Sequence, residues 1–252
     1  RGVLRAAQPG RFVGRRGGLT LLPGFDGARG SLLLVRHGET DWNVPGLIQG
    51  WTDIELNPKG HAQARAVGQA LTKVREFHPD FGFVVSPLFR ARQTMGYIAE
   101  ALELEPPQIS IDPAVTELGF GVWEGKPFWE LKASPIYPPH PEDRYFWRPE
   151  AGESYEDGHA RINQWLDTLD RPTVVVAHGA IGRCLIAEIA GLRERLFELP
   201  LPAGNYSGLT TDGKRLWFLD AEGQLLELWE AGLTTTLADA RSRRACVRML
   251  SA

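Results

Sequence analysis

Leu32-Leu33-Leu34-Val35-Arg36-His37-Gly38-Glu39-Thr40 is an unbroken apolar run that delivers an arginine and a histidine into a glycine turn. The pattern returns at Thr173-Val174-Val175-Val176-Ala177-His178-Gly179. Leucine and valine without polar alternation read as strands buried on both faces, as in a parallel sheet covered by helices. Ligands of such sheets sit at the carboxyl ends of the strands. The two histidines are therefore expected at one edge of the sheet, although they lie far apart in the chain.

Outward from these runs, strand and helix signals alternate. Asn57 stands where a helix needs a cap, Pro58 occupies the first turn, and Ala64, Val67, Leu71 and Val74 repeat at helical spacing. Phe81–Val85 reads as a strand, and the helix after it, starting near Phe89, packs through Met95, Ile98 and Leu102. Gln108–Ile111 is a short strand candidate and Ser154 to Leu169 a helix candidate. Ile181, Leu185, Ile186 and Ile189 mark a helix behind His178, and Leu216–Leu219 with Leu225–Trp229 suggest a closing hairpin. The alternation predicts an α/β fold. Residues 126–152, rich in proline and aromatics, read as an irregular excursion and not as a separate domain.

The chain has 252 residues, 43% of them hydrophobic, enough for a sizeable core. Residues 1–30 carry Arg1, Arg5, Arg11, Arg15, Arg16 and Arg29 against one acid, Asp26, and show no hydrophobic period. They read as a basic extension without a fold of its own, with a transit-like leader as the alternative. The domain proper is expected at 31–230, and 231–252 as a tail. A net charge of -3 argues against nucleic acid or an anionic membrane as partner. Two cysteines, Cys184 and Cys246, make no disulfide framework, and no apolar stretch approaches the roughly 20 residues of a membrane span. A soluble, cytoplasmic protein is expected.

Three strand exits carry polar groups. The first supplies Arg36 and His37, and the last supplies His178. Between them, Ser86-Pro87-Leu88-Phe89-Arg90-Ala91-Arg92-Gln93-Thr94 places arginines in a turn and the first turn of a helix. Two arginines and two histidines at one sheet edge suit a doubly charged anion, because guanidinium matches phosphate oxygens bidentately. Gly179 opens a helix whose free N–H groups also favour an anion. Each piece recurs by chance. The three together, in this order, are specific.

These motifs resemble those of the histidine phosphatase superfamily, also called phosphoglycerate mutase-like, over roughly residues 31 to 230. The resemblance implies a three-layer α-β-α sandwich with a mixed, mostly parallel central sheet. It casts His37 as the nucleophile that takes the phosphoryl group, with Arg36, Arg90 and His178 holding its oxygens. Asn43 would add a donor, and Thr40, Gln49, Gly50 and Gly179 join the phosphate-binding set. Thr116-Glu117-Leu118-Gly119-Phe120-Gly121-Val122-Trp123-Glu124-Gly125 matches the neighbourhood of the family's acid, which puts that role on Glu117, with Glu124 the nearby rival, read as structural. Arg36 and Arg90 should help keep His37 neutral and nucleophilic. A carboxyl beside a phosphate dianion suits general acid catalysis.

No metal and no cofactor are expected. His37, His178 and Glu117 are ligand types of a two-histidine, one-carboxylate triad, but the flanking arginines would repel a divalent cation. Within the family, Phe128, a single Arg148 and Ala180 stand where mutases carry lysine, paired arginines and asparagine. Ala151-Gly152-Glu153-Ser154 resembles the phosphatase branch, while Leu47 replaces an arginine that many members have. The expected activity is hydrolysis of a small phosphorylated metabolite through phosphohistidine. The alternatives are 2,3-bisphosphoglycerate-dependent phosphoglycerate mutase and a phospho-ligand-binding relative without turnover. A small phosphorylated substrate is the expected partner, with a homodimer left open.

Overall fold

The computed structural model describes residues 31–77 and 80–189, the strand segments 207–211, 215–219, 225–229 and 246–251, and the dipeptide Arg5-Ala6. The rest of the expected basic extension lies outside the described residues, as does the expected tail up to residue 245.

The opening run is strand β1 (Ser31–Arg36), followed by α1 (Pro58–Phe77), β2 (Gly82–Val85), α2 (Phe89–Leu102) and β3 (Ile109–Ile111). After the excursion come α5 (Tyr155–Leu166), β4 (Thr173–Ala177) and α6 (Gly179–Ile189). Strands β3, β2, β4 and β1 lie in that order and pair in parallel, with Leu32 opposite Thr173 and Arg36 opposite Ala177. A further strand, Cys246–Ser251, runs parallel on the free edge of β1. Antiparallel pairing among named strands belongs to a small second sheet in which Arg215–Leu219 and Leu225–Trp229 form the expected hairpin.

Burial on both faces explains the missing polar alternation. Leu32, Leu34, Val175 and Ala177 point into a core shared with Ile162 and Trp165 of α5 and Ile181 and Leu185 of α6. Leu33, Val35, Val174 and Val176 point the other way, against Val67 and Leu71 of α1 and Met95 and Ile98 of α2. Helix, sheet and helix thus form the three expected layers, held by apolar area on both sides of each strand.

Local chemistry sets the helix starts. Asn57 caps α1, its Oδ1 accepting from Gly60 N at 2.8 Å. Ser154 caps α5 in a reciprocal box with Asp157, accepting from Asp157 N at 3.2 Å while Asp157 Oδ2 accepts from Ser154 N at 2.7 Å. The excursion contains two short helices, α3 (Phe128–Ala133) and α4 (Pro141–Phe146). Leu131 anchors it to Ile48 and Trp123, and Tyr137 and Trp147 pack around them.

Candidate active site

The carboxyl edge of the sheet gathers the site. The chain leaves β1 through Gly38, where a Cβ would run into the Gly60 carbonyl of α1. That close approach requires glycine, and Gly38 N donates to Thr94 Oγ1 of α2 at 3.0 Å. Glu39 ties the turn to α1, accepting from Asn57 Nδ2 at 3.1 Å and from Lys59 Nζ at 2.8 Å. The turn carrying His37 is therefore held by both helices on one side of the sheet.

His37 is buried, and its Nδ1 lies 2.7 Å from the Gly38 carbonyl. A carbonyl only accepts, so Nδ1 carries the proton and Nε2 keeps a bare lone pair. Arg90 Nε donates to that Nε2 at 3.3 Å. The His178 ring lies 5.1 Å from the His37 ring, centroid to centroid, as the two strand exits require. His178 Nε2 lies 2.6 Å from Ser86 Oγ, and its buried Nδ1 has no hydrogen-bond partner among the described residues. Burial first, then the Arg90 and Arg36 charges, hold His37 well below the usual imidazole range. Burial and Arg90 do the same to His178. The sequence pointed to the arginines, but desolvation is the larger cause.

Arg90 is fully buried at the start of α2. Beyond His37 it donates to the Thr52 carbonyl at 2.9 Å and the Gly50 carbonyl at 2.8 Å. Gly50 has φ +51°, and a Cβ there would collide with the Glu124 carboxylate. Glu124 accepts from Trp51 N and Thr52 N, each at 2.9 Å. Gly50 thus meets Arg90 through its carbonyl.

Glu117 meets the N-terminus of α6. Its carboxylate accepts from Ala180 N at 3.1 Å and from Ile181 N at 2.9 Å. The helix mouth expected to favour an anion holds this carboxylate, a favourable match to the helix dipole. A Cβ on Gly179 would lie 3.8 Å from Glu117 Oε2 and 3.9 Å from Arg36 Nε, so both side chains converge on Gly179. Arg36 and Arg90 feel Glu117 as an opposing charge.

The remaining expected residues take humbler places. Thr40 is buried and its hydroxyl donates to Asn43 Oδ1 at 3.0 Å, while Thr40 N donates to the same oxygen at 2.9 Å. Gln49 is buried, its Oε1 without a partner among the described residues. Sequence reasoning missed Arg161, whose guanidinium grips the segment carrying Glu117. Its place on α5 beside the buried Gly158, Ile162 and Trp165 is the only signal that could have found it.

The arrangement can hold a dianion between the buried Arg90 and the half-buried Arg36 and present a neutral imidazole nitrogen to it. A family model described as the histidine phosphatase superfamily (branch 1) matches residues 32–222. A Bacillus subtilis protein named uncharacterized phosphatase PhoE is 38% identical over 165 residues, 64% of this chain and 78% of its own. A 2,3-bisphosphoglycerate-dependent phosphoglycerate mutase of Mesorhizobium japonicum is 33% identical over 189 residues, 69% of this chain and 88% of its own. Among solved structures, a mycobacterial glucosyl-3-phosphoglycerate phosphatase in complex with VO3 matches with TM-score 0.58 at 28% identity, over 79% of this chain and 97% of that one.

Proposed function

The chain belongs to branch 1 of the histidine phosphatase superfamily, and from that premise we propose that it hydrolyses phosphomonoesters of small metabolites through a phosphohistidine on His37. One observation carries the reading: His37 is locked by Gly38 with its Nε2 lone pair aimed into a cationic pocket.

The substrate's phosphoryl group enters between Arg36 and Arg90, with His178 beside it. Arg90 turns its Nε–H from His37 Nε2 to a phosphoryl oxygen, which frees the lone pair. Nε2 attacks phosphorus, the bond from phosphorus to the ester oxygen breaks, and that oxygen takes a proton from Glu117. In the second half, Glu117 takes a proton from water as the water oxygen attacks phosphorus. The P–N bond breaks and inorganic phosphate leaves with His37 restored. Positioning and fixed positive charge supply most of the acceleration in such transfers. Those same charges disfavour a divalent cation, so the reading needs no metal.

Three features favour hydrolysis over mutase activity. Arg148, which stands alone where mutases carry paired arginines, is tied to Asp157 at 2.6 Å. Phe128 lies against Tyr137, ring centroids 6.4 Å apart, where a mutase would present a lysine. Ala180 offers only its backbone N–H, and that donates to Glu117.

A panel of phosphomonoesters, run beside 3-phosphoglycerate isomerisation with a bisphosphate primer, tests the reading. Hydrolysis, an acid-labile phosphoenzyme trapped by rapid quench, and a His37→Ala variant slower by about 10⁴-fold or more are expected. Robust phosphoglycerate interconversion would instead establish the mutase.

A further inference from the structure

Glu117 lies in an irregular segment, yet a proton donor must be held to a fraction of an ångström. We propose that Arg161 and Glu153 form a clamp that positions the Glu117 carboxyl for proton transfer, both acting as positioning residues. The proposal rests on the reading of Glu117 as the acid.

Arg161 Nη1 donates to the carbonyls of Ala114 and Thr116, both at 2.7 Å. Its Nη2 donates to the Glu117 carbonyl at 3.3 Å and to Glu153 Oε2 at 2.8 Å. That same Oε2 accepts from Gly119 N at 3.2 Å, and Glu153 N donates to the Gly119 carbonyl at 2.8 Å. The segment is therefore held on both sides of Glu117 by one planar fork and the carboxylate it pairs with. Trp51 Nε1 adds a bond to the Glu117 carbonyl at 2.9 Å.

The mount is rigid. Arg161 projects from α5, which is boxed at its start by Ser154 and Asp157 and seated in the core by Ile162 and Trp165. Guanidinium is the group that can serve three carbonyls and a carboxylate at once, because its donors diverge in one plane. Lysine keeps the charge and loses the fork. Val115 and Leu118 are themselves buried in the core, so the segment stays attached when the clamp is weakened. What loosens is the angle at which the carboxyl meets its target.

Leaving-group chemistry tests this. An alkoxide needs a proton as it departs, whereas 2,4-dinitrophenolate leaves without one. For wild type, Arg161→Lys, Glu153→Gln and Glu117→Gln, kcat/KM is measured on glycerol 2-phosphate and on 2,4-dinitrophenyl phosphate. The ratio of the two cancels any loss of folded protein. Arg161→Lys is expected to lower the alkyl value by roughly 10- to 100-fold and the aryl value by less than about 3-fold. Glu153→Gln should follow in the same direction with a smaller factor, and Glu117→Gln should give the largest split.

Arg161 also lies near enough for its charge to bear on His178. A clamp acting through the phosphate pocket would depress both substrates alike. Equal losses in the Arg161 and Glu153 variants, or none, beside a clear split in Glu117→Gln, would overturn the clamp. No split in Glu117→Gln would overturn the acid assignment, and the clamp with it.

Discussion

At the scale of single residues, the fold keeps two buried imidazoles neutral. Burial and the Arg90 and Arg36 charges hold His37 and His178 well below 6.5 in the folded chain. In the unfolded chain each titrates near about 6.5. As pH falls through that value, the unfolded state binds protons that the folded state refuses, so stability drops on acidification. Each histidine contributes up to about 1.4 kcal/mol per pH unit between its unfolded value and its lower folded value. Urea midpoints are therefore expected to fall between pH 7 and pH 5, and His178→Asn to flatten that fall. A midpoint independent of pH over this range would contradict the burial argument. The same depression leaves His37 Nε2 unprotonated below pH 6.5, so it sets no acid limb in kcat/KM near that value.

At the scale of elements, the strands behave as two-faced cores. Leu33 and Leu34 are adjacent, point to opposite faces and are both essentially inaccessible. Leu33→Ala and Leu34→Ala should each cost about 2–5 kcal/mol by denaturant unfolding. A sheet with one solvated face would make one of the two nearly free. Helix starts were equally legible, since Asn57 and Ser154 are local signals that act on their own next turn. Ser154→Ala should cost about 1 kcal/mol through the lost cap of α5. The excursion was less legible. Its proline and aromatic content marked irregularity, but the short helices α3 and α4 follow from tertiary packing around Leu131 and Tyr145.

At the scale of the whole molecule, sheet topology concentrates charge at one edge. Arg36 and Arg90 sit beside two neutral rings, with Glu117 as the opposing carboxylate closest to both in effect. A bound dianion compensates that buried positive charge, and anything that binds only the folded state stabilises it. Inorganic phosphate at about 100 times its Kd should raise unfolding free energy by roughly 3 kcal/mol, and orthovanadate should act likewise. Thermal shifts with each anion measure this, and Arg90→Ala should erase them. A shift that survives in Arg90→Ala would place the anion elsewhere. Among the described residues, no helix is long and apolar enough to cross a membrane.

Apolar runs, caps and the Arg-His-Gly and Ala-His-Gly exits were enough to infer the layered parallel sheet and the meeting of His37 with His178. Those features obey short-range rules of period and propensity, so one strand or one turn contains its own message. Tertiary structure alone decided that Glu117 takes the N-terminus of α6, that Arg90 carries the Gly50–Thr52 loop, and that Arg161 grips the segment around Glu117. Each of those is a hydrogen bond between groups separated by tens of residues. Such bonds depend on where packed elements come to rest, and no spacing along the chain encodes them.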